Sequence, residues 1–107
     1  MSYPSELVPQ DEVENEELHL THTLMQRNAR YGNFLDQANV SCGLKLVMKN
    51  TRNWNRLRPD QQEALEMIAV KISRILMGDP DYIDNWHDIE GYARLVKRRL
   101  QAEQSQP

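Results

Sequence analysis

The sequence predicts an all-α protein, a compact bundle of about four helices that works as an oligomer. Two observations predict the class. Glycine and proline are sparse, and no apolar–polar alternation of the β kind lasts more than a few residues. Apolar residues recur instead at the three- and four-residue spacing of helices. A third observation bears on the oligomer: the second helix is apolar on two sides, which suits either a central place in its own domain or a surface shared with a partner chain.

Residues 1–10, with Pro4 and Pro9, read as an irregular arm ahead of a single domain over 11–100. The first helix is expected from about Asp11 to Arg30, with acids in its first turn where the helix dipole favours them. Val13, Leu20 and Leu24 form its stripe, flanked by Leu18, Met25 and Ala29. Gly32 suits a left-handed C-cap and Asn33 the next N-cap. The second helix, about 34–49, carries one stripe of Leu35, Ala38, Cys42 and Leu46 and another of Val40, Leu44 and Val47. Residues 50–58 read as a polar, basic loop.

Pro59 suits the first turn of a third helix running to Met77. On it Ala64, Leu65, Ile68, Ala69, Ile72, Ile75 and Leu76 share the expected core face, with Glu63, Glu66, Val70 and Arg74 opposite. Gly78 ends that helix, and Asp79-Pro80 suits the start of the last. The last helix is expected to run to about Leu100, with a break near Ile83 and a core stripe of Trp86, Ile89, Ala93, Val96 and Leu100. Residues 101–107 are expected to fray.

The net charge of -3 conceals a segregation. Residues 1–17 hold six acids and no base, and residues 37–59 hold five bases and no acid. A sequence pI near 5.6 argues against sequence-specific or broad binding to duplex DNA. Cys42 is the only cysteine, which excludes an internal disulfide and a cysteine-based zinc site; on its apolar stripe it reads as a small core residue. No apolar run is long enough to span a membrane and no signal peptide is visible, so the expected location is the cytoplasm.

Two residue groups carry candidate chemistry. Glu63 and Glu66 lie one turn apart on the third helix, and Asp84 and Asp88 one turn apart on the fourth. Counted from Gly78, Glu66 lies twelve residues before and Asp88 ten after, so an antiparallel hairpin places them at similar height. Four such carboxylates suit magnesium, which prefers sites completed by substrate phosphates. They equally suit a solvated face with ordinary ion pairs, an Arg74–Asp84 pair among them, although Met67, Val70, Met77 and Leu95 share that face.

The second group is Arg52-Asn53-Trp54-Asn55-Arg56 with Lys45 and Lys49. Here an aromatic plane stands among cations, as in sites that stack a base and neutralise phosphates. Alternatively Trp54 folds back as a cap on the core. His19, His22 and His87 read as surface residues.

Arg30-Tyr31-Gly32, Lys71-Ile72-Ser73-Arg74, Gly78-Asp79-Pro80 and Asp84 through Ala93 resemble a family of small phage and prophage proteins of unassigned function, over about residues 25–100. The resemblance implies a phage product acting in the host cytoplasm. The chain also resembles, more loosely, the MazG-like all-α nucleoside triphosphate pyrophosphohydrolases. These carry Glu-x-x-Glu on one helix and Glu-x-x-Asp on a neighbour, holding magnesium that grips the triphosphate. Glu63-Ala64-Leu65-Glu66 matches the first half, and Asn85-Trp86-His87-Asp88 departs from the second at Asn85.

That likeness implies a magnesium-dependent enzyme acting on a (deoxy)nucleoside triphosphate. Glu63, Glu66 and Asp88 are its expected metal ligands with Asp84 as substitute, and Lys45, Lys49, Arg52, Trp54 and Arg56 its nucleotide contacts. Two other readings stay open: a non-catalytic sponge for a nucleotide signal of host defence, and an inhibitor or assembly factor with a host protein as partner. In each the expected unit is a homo-oligomer, a dimer or higher.

Overall fold

The computed structural model describes residues 10–106, with side chains from Val13 onward. The expected irregular arm, apart from Gln10, lies outside the described residues. Four helices follow one another: α1 (Gln10–Tyr31), α2 (Phe34–Lys49), α3 (Pro59–Met77) and α4 (Ile83–Gln104), with a short 3₁₀ turn at Trp54–Arg56. The described residues contain no strand. The fold is all-α, and its helices pack together around α3, which contacts each of the other three.

The helix ends follow local chemistry. Asn33 caps α2, its Oδ1 accepting the Leu35 and Asp36 backbone N–H groups at 2.9 and 3.4 Å. At α3, Pro59 fills the first position and the Arg58 N–H donates to Gln61 Oε1 at 2.9 Å. The last helix starts at Ile83, where the sequence suggested only a break. Trp86 Nε1 donates to the Pro80 carbonyl at 2.8 Å, which folds the Asp79–Tyr82 turn under the first helical turn. The helix also persists to Gln104, past the expected fraying point. Arg99 holds Asp60 at 2.6 Å and Glu103 at 3.2 Å, and Glu103 meets Arg58 as well.

At the opposite end the α1–α2 corner crosses the α3–α4 corner backbone to backbone. Gly32 has φ of 80°, the left-handed conformation that only glycine adopts freely, and a Cβ there would lie 2.0 Å from the Met77 carbonyl oxygen. A Cβ on Gly78 would lie 2.4 Å from the Tyr31 carbonyl carbon. The close approach lets the Asp79 N–H donate to the Arg30 carbonyl at 3.0 Å. Arginines stack around it, Arg74 at 4.4 Å from the Tyr31 ring centroid and Arg30 at 5.3 Å from that of Tyr82. Arg74 is therefore engaged with Tyr31, and the expected Arg74–Asp84 pair is replaced by a hydrogen bond from the Tyr82 hydroxyl to Asp84 at 2.8 Å.

The core differs from expectation. Trp54, Ala64 and Ala69 are its buried apolar residues, joined by the polar Gln37, Ser41, Lys71, Ser73 and Asn85. Trp86, Leu65 and Leu76, expected inside, are exposed, and so is Cys42. The reason is geometric. With α2 on one flank of α3 and α4 on the other, three helices form an open layer, so the apolar face of α3 has no fourth helix over it. α1 points away instead, and every residue from Glu14 to Arg30 is exposed. The radius of gyration is 19.9 Å and the long extent 69 Å, against about 13 Å for the radius of a compact domain of this length.

Candidate functional site

Helix α3 divides its polar residues between its two neighbours. Glu66 leans toward α2, where Lys49 Nζ lies 3.2 Å from its carboxylate. Lys71 leans toward α4, its Nζ 2.9 Å from Asp88 Oδ2. Between these flanks Glu63, Met67, Val70 and Arg74 recur at spacings of four, three and four, one stripe of the α3 surface. Two of the expected acids thus stand on opposite walls of one face, each already satisfied by an ammonium group. Glu63 is exposed on the floor, and Asp84 sits near the crossing beside Tyr82. The carboxylate beside it, aided by desolvation, raises the Tyr82 hydroxyl above its ordinary pKa.

Lys71 is unusual for a lysine. Its side chain is only 10% exposed, so its charge depends on Asp88 for compensation. Asn85, one turn before Asp88, is 1% exposed, and its Nδ2 makes no hydrogen bond. The residue that departs from the acidic pattern is therefore a core residue, placed where an uncompensated carboxylate would be costly.

A shallow open depression of about 400 Å³ runs along α4 beside this face, lined by His87, Asp88, Gly91, Tyr92, Leu95 and two arginines, Arg94 and Arg98. A second, of about 240 Å³, shares Tyr92 and Leu95 with it and includes Glu63. Glu63 and Asp88 therefore border one continuous strip with Tyr92 between them. Arg94 and Arg98 are not among the site residues that the sequence suggested. Their signal was present: Gly91, Arg94 and Arg98 follow His87 at helical spacing.

The basic loop is elsewhere. Arg58, at its end, joins Glu103 near the C-terminus of α4, and Lys71 stands thirteen residues farther along α3, about 20 Å of helix. Lys49 is engaged by Glu66, while Arg52 and Arg56 are exposed and Lys45 half-buried. Trp54 is corrected as a base-stacking residue. It is buried, and its carbonyl accepts Gln62 Nε2 at 3.0 Å. Burying its large apolar ring outweighs leaving it out as a platform.

Magnesium needs hard oxygens converging on one point. Among the described residues no group of three or more His, Cys, Asp or Glu side chains is placed to hold a metal ion. With Lys49 on Glu66, Lys71 on Asp88 and an amide at Asn85, the arrangement does not fit a resident ion. No helix among the described residues is long and apolar enough to cross a membrane. No protein-family model, curated protein or solved structure matches the chain.

Proposed function

We propose that this chain handles nucleoside triphosphates through the α3–α4 face, as a MazG-like pyrophosphohydrolase or a non-hydrolysing relative of one. The observation that carries the reading is the buried Lys71 with its half-exposed partner Asp88, beside a strip that also holds Arg94, Arg98 and Glu63. A nucleotide reaches a protein as its magnesium complex, so the metal belongs to the substrate here. Magnesium held partly by phosphates needs only one or two protein carboxylates.

In this reading the phosphates compete with Asp88 for the Lys71 ammonium and with Glu90 for Arg94, which it holds at 2.8 Å, and Arg98 neutralises more of their charge. Asp88, relieved of its lysine, faces the cation that accompanies the phosphates. Gly91 leaves room beside it, since a Cβ there would meet nothing within 4 Å.

The test is calorimetry with a panel of nucleotides, cyclic ones included, with and without magnesium, followed by phosphate analysis. Magnesium-dependent pyrophosphate release, lost in Asp88→Ala and weakened in Glu63→Ala, is the expected result. Tight binding without turnover would select the sponge. No binding by any nucleotide would overturn the nucleotide reading and leave the association reading, which the exposed Leu35 and Leu46 of α2 favour.

A further inference from the structure

Helix α1 has the pattern of a coiled-coil strand without the strand it pairs with. Val13, Glu17, Leu20, Leu24, Arg27 and Tyr31 recur at spacings of four, three, four, three and four, the a/d seam of a heptad repeat. Leu20 is 59% exposed and Leu24 51%, and Leu18 and Met25 beside the seam are exposed as well. An isolated helix of this length is marginal in water, because packing of its apolar face normally supplies its stability.

The seam is its own complement. Reversed about position 22, it sets Leu20 against Leu24, Glu17 against Arg27 and Val13 against Tyr31. We infer that α1 is an assembly arm that pairs antiparallel with α1 of a second copy about a two-fold axis near His22. This does not depend on any ligand at the α3–α4 face.

Direction follows from charge. A parallel pair would stack Glu17 on Glu17 and Arg27 on Arg27. The antiparallel pair sets the acidic half, with Glu16 and Glu17, along the basic half, with Arg27 and Arg30. Such an interface is isologous, each contact made twice, and it closes at two copies. Arg27, whose guanidinium lies 5.4 Å from the Tyr31 ring centroid, stays at the seam within reach of the partner's Glu17.

Surface is available for such an interface. The chain exposes 8647 Å², whereas a compact monomer of its mass exposes about 6200 Å². A specific interface removes only about 800 Å² per partner.

Sedimentation equilibrium of the full chain, with circular dichroism on the same samples, tests the pairing. Wild type should sediment at twice the 12.6 kDa of one chain. Leu20→Asp with Leu24→Asp should give the single-chain mass while α2–α4 stay helical. Glu17→Arg should weaken pairing at least tenfold, and adding Arg27→Glu should restore it. A wild-type single-chain mass would overturn the inference. So would an oligomer unmoved by the leucine changes, or a double charge swap that recovers nothing.

Discussion

The Gly32–Gly78 crossing and the helix leading into it adjoin in sequence and are held in opposite ways. At the crossing two backbones touch, a hydrogen bond joins them, and three arginine–tyrosine stacks surround them. One turn back along α1 every side chain is exposed. Helix propensity does not account for the difference, since the crossing holds Gly32, Gly78 and Pro80 and is nevertheless the better held. What differs is where each helix spends its apolar stripe. α3 spends part of it on α2 and α4, whereas α1 meets nothing among the described residues to spend it on.

The largest test of that contrast is at the crossing. Gly32→Ala forces a Cβ against the Met77 carbonyl in a left-handed backbone, and should cost about 4 kcal/mol or more. Thermal melting should show the loss, and a melting temperature within a few degrees of wild type would break the account of the corner.

Next is the Lys71–Asp88 pair below it. Asp88→Ala strands an ammonium whose side chain is only 10% exposed, whereas the Asp88 side chain is 42% exposed. After discounting for that exposure, the cost should be about 2 kcal/mol by urea denaturation. Lys71→Met removes the charge and keeps the stem, so it should be milder. If Lys71→Met proves the costlier change, the ammonium is not the group that needs its partner.

A smaller effect of opposite sign is expected at Gly43, inside α2, where a Cβ meets nothing within 4 Å. Gly43→Ala should stabilise by about 0.5–1 kcal/mol, because a helical alanine loses less entropy on folding. Destabilisation there would mean that a partner packs closely on α2.

Acid probes the far end of the body. The hydrogen bond from Arg99 lowers the Asp60 pKa, and that from Arg58 lowers Glu103. A carboxylate lowered in the folded state contributes stability above its unfolded pKa and loses it as pH falls through the folded value. The melting temperature should therefore fall below about pH 4, and less steeply in Asp60→Asn. Equal slopes would remove these pairs from the account.

The smallest effect on the body belongs to the arm. Leu24→Ala should leave denaturation of α2–α4 within about 0.5 kcal/mol while loosening hydrogen-exchange protection along α1. Equal loss of protection in α3 would mean that arm and body fold as one unit.

All four helices were legible in the sequence, because caps and breaks act over a few residues. Asn33 caps α2, Gly32 turns left-handed and Pro59 opens α3, as local chemistry requires. Less of the candidate site was readable. That Glu66 and Asp88 meet lysines depends on which neighbour each flank of α3 faces, and no spacing within one helix states that. Arg94 and Arg98 had the right periodicity, but their value comes from the Asp88 depression.

By itself, then, the chain determined its helices, their ends and the left-handed turn at Gly32, since these depend on backbone sterics and short-range hydrogen bonds. The need for glycine at Gly78 came from the tertiary approach of Tyr31. Only tertiary structure decided that Trp54 is buried while Trp86 is not, that Asn85 is a core residue, and that the leucines of α1 face outward. Burial is a property of the whole arrangement. A stripe is a core face only where another surface comes to cover it, and on α1 none among the described residues does.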